Sequence, residues 1–176
     1  MNKTDKAMSL RQRNRMNRHQ GRDFENLIGA ACAYYRDRGV ADIEKTPEAM
    51  KPIANMGKGK FVAVYTEKAQ ADFKGLLKGG QAVNFEAKHT TTERMEQDRV
   101  TPEQAARLRR ARDYGGQAFV ICSFSGLDFF RIPWSVWENM KGRFGHKYFT
   151  VQEAEPWRIR IGGPGVLLFL EGMEEK

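Results

Sequence analysis

The sequence is poor in the residues that hold soft metals or covalent cross-links. Its 176 residues include two cysteines and three histidines. Cys32 sits in a stretch with helical spacing and Cys122 inside the apolar run FVICSF, and neither has a second Cys or His at ligand spacing. A zinc centre and a disulfide framework are therefore excluded, and both cysteines read as small buried hydrophobes in a reducing compartment. Long apolar runs are missing as well. No stretch approaches the roughly 20 apolar residues of a membrane span, and the N-terminus has charge without the apolar segment of a secretory signal. The expectation is a cytoplasmic protein with no membrane partner. Acids are in short supply too. Twenty-two Asp and Glu face 30 Lys and Arg, for a formal charge of +8 and a pI near 9.6. That field suits a protein that meets a polyanion, and it favours nucleic acid over an anionic membrane surface.

What the chain does have is enough apolar material for a core. The apolar fraction is 40%, with 11 Phe, 5 Tyr and 3 Trp, which argues against wholesale disorder. The length suits one domain, and there is no internal repeat. Residues 1–20 carry Lys3, Lys6, Arg11, Arg13, Arg15 and Arg18 against the single acid Asp5. They read as a flexible basic arm, leaving 21–176 as the domain. From Gly21 the spacing turns helical, with Phe24, Leu27, Ile28, Ala31 and Tyr35 on one stripe, Glu25 at its border and Gly39 as a stop. A short strand follows in VADIEKTP. The alternating, Gly- and Lys-containing segment after Pro47 reads as a protruding β-ribbon at about 53–70, decorated by Lys58, Lys60 and Lys68.

Further along, ADFKGLLKGGQAVNFEAK reads as a hairpin turning at Lys78-Gly79-Gly80. TTTERMEQDRVTPEQ reads as a polar, mobile loop. Thr101-Pro102-Glu103-Gln104 has the form of a helix start, with Thr as N-cap, Pro at N1 and Gln at N3. The helix should bury Ala105, Leu108 and Ala111 and expose Arg107, Arg109, Arg110 and Arg112 as a solvated or DNA-facing surface. AFVICSF has the composition of a central strand buried on both faces. LDFFRI is its expected antiparallel neighbour, and Trp134, Trp137 and Met140 of the next short helix are core rather than base-stacking platforms. Beyond a Gly-Pro-Gly break near 164, a final apolar helix or strand is expected.

The stretch QAVNFEAKHT carries the chemistry. In a strand, Val83, Phe85 and Ala87 share one face while Asn84, Glu86 and Lys88 share the other. Alone, Glu86 and Lys88 could be a surface ion pair worth about 0–1 kcal/mol. The preceding strand changes the reading, because Asp72 can be brought close to Glu86 across the hairpin. Two carboxylates, with the Ala87 carbonyl nearby, can hold an oxygen-ligated divalent ion beside a phosphodiester, and Lys88 adds a positive charge on the same face. Asp72, thirteen intervening residues and then Glu86-x-Lys88 follow the PD-(D/E)XK nuclease pattern, with Ala71 in the place of its Pro.

From Gly21 onward the chain resembles the RecU-type Holliday junction resolvases of Gram-positive bacteria and their phages. The matching segments are GRDFENLIGAACAYY, IEKTP, ADFKGLLKGGQAVNFEAK, GGQAFVICSF and PWRIRIGGPGVLLFL. The resemblance implies an α/β, restriction-endonuclease-like mixed sheet flanked by helices, with the ribbon as a stalk that enters a four-way junction. It implies Mg²⁺, with Mn²⁺ as a substitute, at Asp72 and Glu86, transition-state stabilisation by Lys88, and a contribution from Gln104. Gln104 is also the last residue of a capping box, which accounts for it without a metal. Glu25 matches a first-helix acid near the active site. Gln70 stands where the family tends to have a metal-ligand Thr. The resemblance further implies a homodimer cutting symmetric strands, a natural match to the two-fold symmetry of a junction. Lys58, Lys60, Lys68, Arg107 and Arg110 are the expected DNA contacts. Two other activities fit the same charge: a nuclease acting on forks, flaps or duplex, and a branched-DNA binding protein without strong cleavage.

Overall fold

The computed structural model describes residues 10–47, 50–65, 71–163 and 165–173. Helix α1 (Leu10–Asp37) leads into β1 (Ala41–Lys45) and then into a ribbon of β2 (Met50–Gly57) and β3 (Lys60–Tyr65). The hairpin of β4 (Phe73–Leu77) and β5 (Ala82–Thr90) follows, then a short β6 (Met95–Glu96) and α2 (Pro102–Asp113). After these come β7 (Gln117–Phe124) and β8 (Asp128–Pro133), then α3 (Trp134–Glu138), α4 (Met140–Phe144) and β9 (Tyr148–Phe149). The chain ends in α5 (Val151–Ala154), β10 (Ile161–Gly162) and β11 (Val166–Leu167).

Five strands form the main sheet in the order β1-β4-β5-β7-β8. β5 and β7 run parallel and every other neighbouring pair is antiparallel, so this is the expected mixed sheet. α1 covers one face, where the rings of Phe73, Phe85 and Phe119 stack at 5.0 and 4.8 Å between centroids across three strands. α2, α3 and α4 cover the other over β7 and β8, burying Leu108, Val120, Cys122, Phe130, Trp137 and Met140. Both tryptophans of α3 are core residues, at 3% and 1% exposure.

Several expectations need correction. The segment 10–20 is helical rather than a flexible arm, because α1 begins at Leu10. Its Leu, Arg, Gln and Met are good helix formers with no Pro or Gly before Gly21, so propensity carries the helix past the last core residue. Residues 1–9 lie outside the described residues. β5, not β7, is the middle strand; β7 is the next interior one, and its continuous burial reflects helices on both faces. The polar stretch after Thr90 is pinned into the fold by Met95 and Val100, at 0% and 6% exposure, with β6 pairing β9. Two apolar anchors in a stretch of fifteen otherwise mostly polar residues were too few to show in its composition.

The ribbon pairs β2 with β3 outside the main sheet, and residues 50–64 are exposed throughout. Its tip is Gly57-Lys58-Gly59, all at positive φ (77°, 51° and 75°), so a non-glycine residue in the left-handed region presents the Lys58 ammonium at the turn. Lys60 opens β3, while Lys68 lies outside the described residues.

Candidate active site

β4 pairs with β5 only from Ala82 to Phe85. Beyond Phe85 the first strand has ended, and the freed amide of Ala87 needs another acceptor. Asp72, just ahead of β4, supplies it: Oδ2 accepts from the Ala87 N–H at 2.9 Å. This amide is the contact that alternation alone did not reveal, since it lies in the plane of the sheet. Glu86 and Lys88 leave β5 on the face of α2, as their period-two spacing requires. Lys88 Nζ lies 3.0 Å from Glu86 Oε2 and 3.8 Å from Asp72 Oδ2, so the ammonium sits between the two carboxylates.

Gln104 comes down from the first turn of α2. Thr101 caps that helix and forms a capping box with Gln104, whose Oε1 accepts from the Thr101 N–H at 3.1 Å and lies 3.4 Å from Lys88 Nζ. Its Nε2 donates to Glu86 Oε2. Gln104 is thus both cap and active-site neighbour. As placed, it steadies the carboxylate by donating rather than offering its amide oxygen to an ion.

Glu86 is fully buried, and its Oε1 has no hydrogen-bond partner. Burial pushes the carboxyl up to about 8, against the opposing pull of Lys88 and with the reinforcing repulsion of Asp72. A buried carboxylate with one unclaimed oxygen, facing a second carboxylate, fits an oxygen-ligated cation. Among the described residues no group of three or more His, Cys, Asp or Glu comes together. Two carboxylates suit a hard divalent cation that keeps several waters and uses few protein ligands.

Glu25 stands apart from this group. Its Oε2 pairs with Lys45 Nζ at 2.6 Å, and Lys45 shares the α1 face of β1 with buried Ala41 and Ile43. Among the described residues no hydrogen bond or ion pair joins Glu25 to Asp72, Glu86 or Lys88. Gln70 lies outside the described residues. His89 projects to the α1 face, beside the Phe24 ring and within 3.2 Å of Ser123 Oγ, away from Lys88. Of the α2 arginines, Arg109 and Arg112 are tied to Glu138 at 2.6 and 2.7 Å. Arg107 and Arg110 form no ion pair among the described residues.

The sequence matches the family described as RecU, Recombination protein U, over residues 19–175. The chain belongs to the RecU family. Relatives include the RecU Holliday junction resolvase of Streptococcus sanguinis, 29% identical over 115 residues, which cover 62% of this chain and 57% of that protein. The RecU resolvase of Geobacillus kaustophilus is 27% identical over 147 residues, 78% of this chain and 73% of its own. The matched region is thus little more than half the length of the streptococcal relative. A structure of Hjc, a Holliday junction resolvase from the hyperthermophilic archaeon Archaeoglobus fulgidus, aligns with a TM-score of 0.49 and 12% identity. That alignment covers 85% of this chain and 97% of the archaeal one. Among the described residues of this RecU-family chain, no helix is long and apolar enough to cross a membrane.

Proposed function

We propose that this protein is a Mg²⁺-dependent endodeoxyribonuclease that resolves four-way DNA junctions by symmetric nicking, acting as a homodimer. The observation that carries the reading is the convergence of Asp72, Glu86, Lys88 and Gln104 where β5 escapes its partner strand, in a chain of the RecU family. Asp72 and Glu86 would hold the ion, which when bound would supply charge stabilisation at the phosphate and acidify the attacking water. Lys88, whose ammonium lies between the two carboxylates, would place its positive charge beside the scissile phosphate. Gln104 keeps Glu86 in place through its Nε2. Water attacks in line, the P–O3′ bond breaks, and the products carry 5′-phosphate and 3′-hydroxyl ends.

Recognition is by shape and phosphates. The ribbon, with Lys58 at its tip, enters the junction centre, while Arg107 and Arg110 border an arm of the DNA. An isologous pair places two sites on symmetry-related strands.

The test compares wild type and Asp72→Asn on labelled four-way junctions and on linear duplex with Mg²⁺. The expected result is paired symmetric nicks on the junction by wild type alone. Equal cutting of linear duplex, or of forks and flaps, would sink the junction assignment. Tight junction binding without nicking by wild type would favour a non-catalytic branched-DNA protein. A second expectation concerns charge. Arg110→Ala should weaken binding to all branched substrates alike and reduce the slope of log affinity against log salt by about 1, the signature of one lost phosphate contact. Arg109→Ala, whose guanidinium is already bound to Glu138, should change that slope far less.

A further inference from the structure

Thr46 is the residue that follows β1, and its backbone is tied to the active site. Its N–H donates to the Asp72 carbonyl at 2.9 Å. This bond continues by one pair the antiparallel ladder that matches Lys45 with Phe73. Opposed residues of such a ladder send their side chains out of the same face, with Cβ atoms about 4.5–5.5 Å apart. Phe73 points into the core under α1, so Asp72 and its cross-strand neighbour Thr46 leave on the other face, the one that carries Glu86 and Lys88.

The Thr46 hydroxyl is buried, and Oγ1 makes no hydrogen bond. A buried hydroxyl without a partner is destabilising, because it gives up its bonds to water and gains none in return. Valine would fill the same volume at the end of a strand without that cost, so packing alone does not call for threonine here. The neighbouring carboxylate offers a use for the hydroxyl. Asp72 Oδ2 accepts from the Ala87 amide and faces Lys88, whereas Oδ1 is engaged in no hydrogen bond or ion pair among the described residues. A carboxylate that ligates a cation is ordinarily held in turn by a hydrogen-bond donor beside it.

We propose that Thr46 is a positioning residue of the cation site: its hydroxyl donates to the Asp72 carboxylate and fixes the orientation in which that carboxylate binds the divalent ion. The inference rests on the reading of Asp72 and Glu86 as the cation ligands. Ala87 then steadies one oxygen of Asp72 from β5 while Thr46 steadies the carboxylate from β1. The aspartate, which precedes its strand rather than lying within it, is thereby held from both sides.

The test is direct Mn²⁺ binding, read from the paramagnetic resonance signal of the free ion, for wild type, Asp72→Asn, Thr46→Val, Thr46→Ala and Thr46→Ser. Thr46→Val should weaken Mn²⁺ binding about tenfold and raise by a similar factor the Mg²⁺ concentration giving half-maximal junction nicking. Thr46→Ala, which also lacks the hydroxyl but makes no demand on space, should do the same. Thr46→Ser, which restores the donor, should return to within about threefold of wild type. Wild-type Mn²⁺ affinity in both Thr46→Val and Thr46→Ala would overturn the proposal, as would a serine variant as weak as the valine one. A wild type that binds no Mn²⁺, or an Asp72→Asn protein that binds it normally, would instead overturn the cation-site reading beneath it.

Discussion

Glu86→Gln is expected to abolish junction nicking, by at least about a thousandfold, while the protein stays folded and keeps its affinity for the junction. A thousandfold loss corresponds to about 4 kcal/mol of transition-state stabilisation, the several kcal/mol that a divalent ion contributes at a phosphoryl oxygen. The substitution keeps the shape of the side chain and its bond to Gln104 but removes the charge that holds the ion. The fold tolerates it because Glu86 is there at a cost: its Oε1 is buried without a partner, and burial alone drives the carboxyl towards its neutral form. Adding Mn²⁺ should accordingly raise the melting temperature of wild type, since an ion bound only by the native state stabilises it. It should leave Glu86→Gln unmoved. Calorimetric melts with and without Mn²⁺, beside nicking assays on the same preparations, decide the matter. Retained nicking, or an equal thermal shift in both proteins, would remove Glu86 from the ion site.

The site is assembled from the places where regular structure stops. β4 begins only at Phe73, and the unpaired Ala87 amide next to it is what recruits the Asp72 carboxylate. α2 begins at Pro102, and the capping interaction that starts the helix is what aims Gln104 at Glu86. One glutamine side chain therefore does two jobs, and helix initiation is coupled to active-site geometry. Burying the Glu86 carboxyl here opposes stability, the cost that the proposed cation site carries.

These features differed in how far the sequence revealed them. The hairpin was legible because Gly79 and Gly80, both at positive φ, are the residues a tight turn requires. The start of α2 was legible because Thr101, Pro102 and Gln104 each fit their own position in a helix start. The alternation in NFEAK correctly placed Glu86 and Lys88 on one face. What lay outside the sequence was contact made across the chain. Thr46 and Asp72 are neighbours only because β1 pairs with β4, and no local pattern marks that register. The pairing of Glu25 with Lys45 likewise depends on how α1 lies over β1, and periodicity alone could place Glu25 only at the border of the helix stripe. Met95 and Val100 were hidden by polar neighbours and gain their meaning from the second core beneath them.

Gly75→Ala is expected to be the most damaging small substitution in the sheet. A Cβ built on Gly75 would stand 2.0 Å from the Asp42 carbonyl oxygen and 2.6 Å from the Ile43 Cα, both backbone atoms of the neighbouring strand. No side-chain rotation relieves such contacts, so β1 must move away from β4. Opening that seam loosens the packing of Ile43 under α1 and, one pair beyond Lys45 and Phe73, the bond from Thr46 to Asp72. A loss of about 3 kcal/mol, the upper end of what overpacking usually costs, is expected because the clash is with rigid backbone, and at this chain length it lowers the melting temperature by roughly 6–12 °C. The informative control is Gly29→Ala, in the middle of α1, where a Cβ meets nothing within 4 Å. That change replaces the least helix-favouring residue other than proline and should raise stability by about 0.5–1 kcal/mol. Thermal melts of the two variants should therefore move in opposite directions. The surviving folded fraction of Gly75→Ala should also bind Mn²⁺ more weakly, because the strand that fixes Asp72 has shifted. If Gly75→Ala melts like wild type, β1 does not approach β4 this closely, and Thr46 does not flank Asp72.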